Sequence, residues 1–209
     1  MKPLTQPTIY LLNGDFRKLI YRLLPASIDL VVTDPPYGRS WDSQWGPLAQ
    51  ECVRVLKPQG VFASYLGHYG LPGVLSRLSQ HLDYLWLANI VFSKSNYRDE
   101  LGLFTMNRPL GIYYKPPRPR PISQFVDTFI SPHKEKQHHP WQQPVEEARS
   151  LIRSFCAPGG WVLDPCAGSG TTLLAAYESG RNAVGFELDP RTYETARKRL
   201  ESAGIAVRA

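Results

Sequence analysis

Short apolar runs alternate with helical patterns along most of this chain, and that alternation restricts the fold more than any other feature of the sequence. It is typical of a mostly parallel sheet with helices on both faces. The predicted strands cover residues 8–12, 28–33, 60–65, 85–92, 111–115, 161–164 and 183–187. The predicted helices cover residues 15–24, 47–56, 71–82, 145–156, 171–179 and 190–203. We therefore expect a doubly wound α/β fold.

The composition favours one domain that spans residues 1–209. A length of 209 residues with 43% hydrophobic content is enough to bury one substantial core. No apolar run approaches the roughly 18 residues of a membrane helix, and the first residues lack a signal-peptide pattern, so we expect a cytoplasmic protein. The net charge of +6 favours a polyanionic partner, because lysine and arginine side chains that neutralise phosphates release condensed counterions.

The stretch WVLDPCAGSGTT combines a predicted strand, a glycine-rich turn and the start of a helix. Gly168 and Gly170 let a ligand approach the backbone, and Asp164 ends the strand as a hydrogen-bond acceptor. Glu187 ends the next strand, where a carboxylate can hold both hydroxyls of a ribose. Leu173 replaces the third glycine of a dinucleotide loop, and the lysine of a phosphate-binding loop is missing. The pattern favours a cofactor that has a ribose and no phosphate.

A second loop, TDPPYG, follows the predicted strand at 28–33. A chance Asp-Pro-Pro-Tyr has odds of roughly one in a thousand in a chain of this length. Pro35 and Pro36 donate no hydrogen bond, so nearby carbonyl groups are left to accept, and Asp34 adds a charged acceptor. Tyr37 adds an aromatic face. Acceptors beside a ring suit a flat group with an NH₂, such as a base turned out of the helix or presented in a single strand.

The two loops together resemble those of the S-adenosylmethionine-dependent DNA amino-methyltransferases, which methylate adenine N6 or cytosine N4, and their order is that of the beta class. The resemblance implies a Rossmann-like fold and S-adenosylmethionine as cofactor. It implies a catalytic loop of Asp34, Pro35, Pro36 and Tyr37. It also implies a cofactor site of Asp15, His139, Asp164, Pro165, Gly168, Gly170, Thr171 and Glu187. Around His139 the sequence HHPWQQP departs from the family's Lys-His-Pro-Thr-Gln-Lys-Pro, which leaves the contacts there open.

Aspartate at the first position of the catalytic loop is the family's more usual sign of adenine, so the resemblance implies transfer to adenine N6. Cytosine N4 stays open, because a carboxylate can accept an N–H from either base. An enzyme acting on RNA and a nucleic-acid-binding protein that has lost activity are further alternatives. The resemblance fits either a restriction–modification system or an orphan methylase.

Four cations, Arg39, Lys115, Arg118 and Arg120, are candidates for contact with DNA phosphates. The proline-rich segment 116–137 has no helical or strand periodicity and is the only room for a small target-recognition insertion, so a homodimer or a partner would supply further recognition.

Cys166 is expected to be a packing residue, because no basic group lies near it in the sequence to lower its pKa. The clustered histidines have no second ligand pair, and we expect no metal.

Overall fold

The structure, a computed structural model, describes residues 6–38, 40–131 and 145–209. Within these ranges the strands are β1 (Ile9–Asn13), β2 (Ile28–Thr33), β3 (Leu56–Tyr65), β4 (Asp83–Arg98), β5 (Leu103–Tyr114), β6 (Thr128–Ser131), β7 (Trp161–Asp164), β8 (Asn182–Glu187) and β9 (Val207–Arg208). The α-helices are α1 (Phe16–Leu19), α2 (Trp45–Val55), α3 (Leu71–Ser79), α4 (Val145–Phe155), α5 (Thr171–Glu178) and α6 (Pro190–Ser202).

The strands form one sheet in the order β6-β4-β5-β3-β2-β7-β8-β1-β9. Among these described strands only β5 runs antiparallel to its neighbours, β3 and β4, and the remaining pairings are parallel. The prediction of a doubly wound, mostly parallel sheet is confirmed. None of the helices in the described residues is both long and apolar enough to span a membrane.

The predicted strands at 28–33 and 161–164 coincide with β2 and β7. The prediction of a ten-residue helix at 15–24 is wrong, since α1 has four residues and a 3₁₀ turn follows it. The hairpin of β4 and β5 is much longer than predicted, because exposed polar residues and Pro109 interrupt the apolar runs that the prediction followed. Short edge strands β6 and β9 were not predicted either.

The central strands are buried on both faces, as the strands of a covered parallel sheet must be. In β2 the side chains of Leu30 and Val32 pack on the face covered by α4, α5 and α6. Val31, between them, packs on the opposite face with residues of α2 and α3 such as Leu48 and Leu78. This alternation explains why β2 reads as a continuous apolar run in the sequence.

We expect Gly185→Ala to lower the free energy of unfolding by about 1–3 kcal/mol, the usual cost of overpacking a core. A Cβ at this position in β8 would lie 2.7 Å from Leu173 Cδ1 and 3.0 Å from Ala167 Cβ. Gly46→Ala in α2 is the matched control, because its Cβ would meet nothing within 4 Å and alanine favours the helix by up to about 1 kcal/mol. Urea unfolding of the two variants measures the difference, and equal midpoints would contradict the prediction.

Candidate active site

Four neighbouring strands bring most of the predicted site residues to one edge of the sheet. The strands β2, β7, β8 and β1 are adjacent and parallel, so their carboxyl ends lie side by side. Asp34 follows β2, Asp164 ends β7, Glu187 ends β8 and Asp15 follows β1. Ligands of open α/β sheets bind at this edge, in the crevice outside the strand ends. The two loops singled out in the sequence are therefore neighbours in the fold.

The glycine-rich turn after β7 is shaped by backbone conformations that favour glycine. Gly168 has φ 52° and Gly170, which precedes α5, has φ 80°. The Gly168 N–H donates to Glu187 Oε2 at 2.8 Å, which joins the turn to the end of β8. Arg199 of α6 donates to Thr171 Oγ1 at 2.9 Å and so fixes the start of α5. The sequence analysis missed this role of Arg199, because its helix lies about thirty residues away.

Asp164 is buried below this turn, next to the buried Pro165. Its carboxylate accepts a hydrogen bond from the Cys166 N–H at 3.1 Å. Burial raises the pKa of Asp164 to about 7, although hydrogen bonds from the Thr172 hydroxyl and the Cys166 N–H act to lower it. Burial also raises the pKa of the Cys166 thiol well above its ordinary value, which disfavours the nucleophilic thiolate.

Asp15 stands at the start of α1, beside the end of β8. The preceding residue, Gly14, donates its N–H to the Glu187 carbonyl at 2.8 Å. The Asp15 carboxylate accepts from the Arg17 N–H at 2.9 Å and forms an ion pair with the same side chain. The hydrogen bond from the Arg17 side chain lowers the pKa of Asp15, so this carboxylate is ionised near neutral pH.

The catalytic-loop candidates lie between the ends of β2 and β3. Asp34 is half-buried, Pro35 is buried and Pro36 is exposed. The Tyr37 side chain is 45% exposed, and its hydroxyl donates to Asp34 Oδ1. Gly67 leaves room for the tyrosine ring, because a Cβ there would lie 3.3 Å from Tyr37 Cδ1. An aromatic residue that is partly exposed thus lies directly beside a carboxylate.

Arg108 of β5 is a further member of the site that the sequence analysis missed. Its Nη1 lies 3.6 Å from Asp34 Oδ2 and donates to the Tyr37 hydroxyl at 3.4 Å. The guanidinium stacks over the Tyr65 ring, 4.5 Å from the centroid, and the Tyr65 hydroxyl donates to Glu147 Oε2 at 3.2 Å. Arg108 lies between Asn107 and Pro109, next to the apolar half of β5, and nothing in this local pattern predicts its contact with the catalytic loop.

Burial alone would lower the pKa of Arg108, but Tyr37, Asp34, Tyr65 and Glu147 together raise it above its ordinary value. The guanidinium is therefore charged. Burial raises the pKa of Tyr37 well above its ordinary value, and the Asp34 charge acts in the same direction. Tyr37 is thus a neutral hydrogen-bond donor near neutral pH.

Of the remaining predicted residues, those that the structure describes lie away from this group. Arg39 and His139 lie outside the described residues. Lys115 lies beside the start of β3, at the edge of the sheet opposite Asp34, and its Nζ donates to the Leu56 carbonyl at 2.8 Å. Arg118 and Arg120 are exposed in the segment that follows. Lys115 therefore lies at the other edge of the sheet from Asp34, and contact of these four cations with DNA phosphates stays a prediction.

The known proteins to which this chain is similar are named as methylases or methyltransferases. A family model described as DNA methylase matches residues 28–198. YubD of Escherichia coli (strain K12) is 28% identical over 218 residues, which are 94% of this chain and 92% of YubD. YhdJ of the same organism, a DNA adenine methyltransferase by name, is 25% identical over 243 residues, which are 92% of this chain and 83% of YhdJ. TTHA0409 of Thermus thermophilus, solved in complex with S-adenosyl-L-methionine, has a TM-score of 0.79 at 26% identity and covers 96% of this chain and 97% of that chain.

The raised pKa of Asp164 predicts how stability depends on pH. Because the folded state holds this proton more tightly than the unfolded state, the stabilisation is fully present below the ordinary value of 3.8 and is lost as pH rises through about 7. We expect the difference in unfolding free energy between the wild type and Asp164→Asn to fall by about 1.4 kcal/mol per pH unit between these values. Urea unfolding from pH 4 to 8 measures it, and the exposed Asp83→Asn is the control. Parallel curves for the wild type and Asp164→Asn would contradict the prediction.

Proposed function

We propose, from the premise that this chain belongs to the DNA methylase family, that it transfers the methyl group of S-adenosylmethionine to adenine N6 in DNA. Family membership rests on the match over residues 28–198. The observation that carries the proposed roles of individual residues is the direct pairing of β2 with β7, which sets Asp34 beside the glycine-rich turn. In this proposal the loop after β2 provides the groups that accept hydrogen bonds from the base, and the turn after β7 binds the methyl donor.

The residues at the ends of β7, β8 and β1 fit the cofactor. Glu187 offers carboxylate oxygens at a strand end, the position suited to ribose hydroxyls. Asp15 follows Gly14, which is bonded to the Glu187 backbone, and we propose that Asp15 faces the adenine part of the cofactor. Gly168 and Gly170 are proposed to allow close approach of the methionine part. His139 and Thr171 complete the proposed set, with Asp164 and Pro165 shaping the turn from below. S-adenosylmethionine, when bound, supplies an electrophilic methyl group.

The loop after β2 is proposed to hold the target base. The Asp34 carboxylate and the Pro35 carbonyl each accept one N–H of the exocyclic amine, which withdraws the nitrogen lone pair from ring conjugation and directs it outward. Tyr37 stacks on the base with its exposed face, a contact worth about 1–3 kcal/mol per base. After transfer, the extra proton on the nitrogen leaves to Asp34 or to water.

Adenine is proposed over cytosine because the catalytic loop begins with aspartate and because YhdJ, similar over 92% of this chain, is named for activity on adenine. Cytosine N4 is the second candidate, because the same carboxylate can accept from its amine. Incubation of purified protein with labelled cofactor and DNA, RNA or protein identifies the substrate class. Digestion of the product to nucleosides then distinguishes N6-methyladenine from N4-methylcytosine by mass.

The hairpin of β4 and β5 is proposed to contact DNA beside the site. Its strand β5 pairs with β3 up to Leu110 opposite Tyr65, and residues 103–109 continue past the carboxyl end of β3. Because β3 and β2 run parallel, the hairpin extends from the edge at which Asp34 lies. It carries the exposed ring pair Tyr97 and Phe104, whose centroids are 4.8 Å apart.

The proposal includes the organisation and partners of the chain. It is a single domain over residues 1–209 that works in the cytoplasm, with 116–137 as a small recognition insertion and a homodimer or a partner supplying further recognition. Two exposed apolar residues, Val126 just before the outer strand β6 and Ile130 within it, support a protein contact there. Light scattering of the purified protein, alone and with DNA, tests for a dimer.

Asp34→Ala is expected to lower kcat at least about 100-fold, the scale of losing one preorganised catalytic contact. Cofactor affinity should stay within about twofold, because Asp34 follows a different strand from the residues proposed to bind the cofactor. Methyl transfer to DNA from a methylase-deficient host measures kcat, and calorimetry measures cofactor binding. The exposed Asp83→Asn is the control. Unchanged turnover would remove Asp34 from the mechanism.

The double variant Tyr97→Ala/Phe104→Ala should weaken binding to duplex DNA at least about tenfold, because each lost stacking contact costs about 1–3 kcal/mol. Fluorescence anisotropy with a labelled duplex measures the affinity. The control is Tyr84→Ala, which removes a ring of similar exposure, 52%, from the opposite end of β4. Equal affinities for the double variant and the wild type would exclude the hairpin as a DNA contact.

A further inference from the structure

We infer that Arg108 is a positioning residue for methyl transfer, which fixes both the Asp34 carboxylate and the ring of Tyr37 against the body of the protein. The inference rests on the proposed function of the loop after β2. It goes beyond that function because Arg108 belongs to neither of the two motifs and lies on a different strand. It concerns how the base-binding groups keep their orientation.

The first support is that one guanidinium touches both base-binding groups. Arg108 Nη1 lies 3.6 Å from Asp34 Oδ2 and donates to the Tyr37 hydroxyl at 3.4 Å. The same hydroxyl donates to Asp34 Oδ1. The carboxylate is therefore contacted at both oxygens, by a hydrogen bond at Oδ1 and an ion pair at Oδ2, and the hydroxyl end of Tyr37 is held while 45% of the residue stays exposed. Rotation of either group would break contacts with the other two.

The second support is that Arg108 is itself immobilised. The Arg108 Cζ atom lies 4.5 Å from the centroid of the Tyr65 ring, on β3, and 5.8 Å from the centroid of the Phe92 ring, on β4. Stacking of this kind suits the planar, delocalised charge of arginine and not the compact ammonium of lysine. The side chain is only 15% exposed. The two rings therefore restrict the orientation of the guanidinium.

The third support is the arrangement of charge around this cation. A buried charge is costly unless it is paired, and Arg108 has the Asp34 carboxylate on one side and Glu147 on the other. Glu147 is 4% exposed at the start of α4 and accepts from the Tyr65 hydroxyl at 3.2 Å. These contacts thus link the base-binding loop to helix α4 through a row of four residues, Asp34, Arg108, Tyr65 and Glu147. No part of the row belongs to the proposed cofactor turn.

The test uses Arg108→Lys and Arg108→Gln in the full chain, with methyl transfer to DNA from a methylase-deficient host. Lysine keeps the charge and loses the planar fork, and we expect kcat to fall about tenfold; glutamine loses both, and we expect about 100-fold. Calorimetric affinity for S-adenosylmethionine and KM for DNA should stay within about threefold. Arg208→Lys and Arg208→Gln, on the edge strand β9, are the matched controls, because this exposed guanidinium also lies over a tyrosine ring, that of Tyr10.

A double-mutant cycle separates positioning from general support of the fold. In a Tyr37→Phe background, which keeps the ring and removes the hydroxyl, Arg108→Gln should cost at least threefold less in kcat than it does in the wild type. Effects that multiply independently would overturn the inference, as would a kcat of either Arg108 variant within threefold of the wild type. If Arg108→Gln fails to fold, the cycle is run with Arg108→Lys. A wild type that methylates no nucleic acid would instead refute the proposed function.

Discussion

The parallel pairing of β2 with β7 is the interaction on which the rest of the site depends. These two strands are distant in the sequence and adjacent in the sheet, and each ends in one of the two loops. Their register is held by side chains buried on both faces, such as Leu30 and Val31 on β2 and Leu163 on β7. A slip of one residue would turn each of these side chains to the wrong face of the sheet. The core therefore sets the separation of the two loops.

The same edge of the sheet gathers four acidic side chains in a protein whose net charge is +6. Neighbouring like charges repel, and the fold reduces this repulsion at three of the four positions. Asp15 pairs with Arg17, Asp34 lies beside Arg108, and burial raises the pKa of Asp164 to about 7. An acidic edge suits a cationic methyl donor and repels DNA phosphates. DNA must therefore gain its contacts from the surrounding surface and from stacking on exposed rings.

The two loops of the site could be predicted from the sequence, and the residues that support them from other elements could not. Positive φ at Gly168 and Gly170 and the strand end at Glu187 are local properties, so a short motif reports them. Arg108 meets Asp34 and Tyr37, and Glu147 meets Tyr65, only through tertiary contacts between segments more than sixty residues apart. The same limit hid the length of the β4 and β5 hairpin, whose exposed half has no apolar periodicity.

The loop after β2 has a physical reason to need such distant support. Pro35 and Pro36 have no N–H, so this stretch of backbone cannot be fixed by the ladder of hydrogen bonds that holds a strand or a helix. The missing N–H groups leave carbonyl groups available to a base, but they also leave the loop with fewer backbone hydrogen bonds to hold it. Side chains must then supply the rigidity, and a planar cation stacked on Tyr65 does so while keeping the Asp34 carboxylate an acceptor. A loop whose groups accept hydrogen bonds from the base therefore needs a hydrogen-bond donor from another strand, such as Arg108 of β5, to hold it in place.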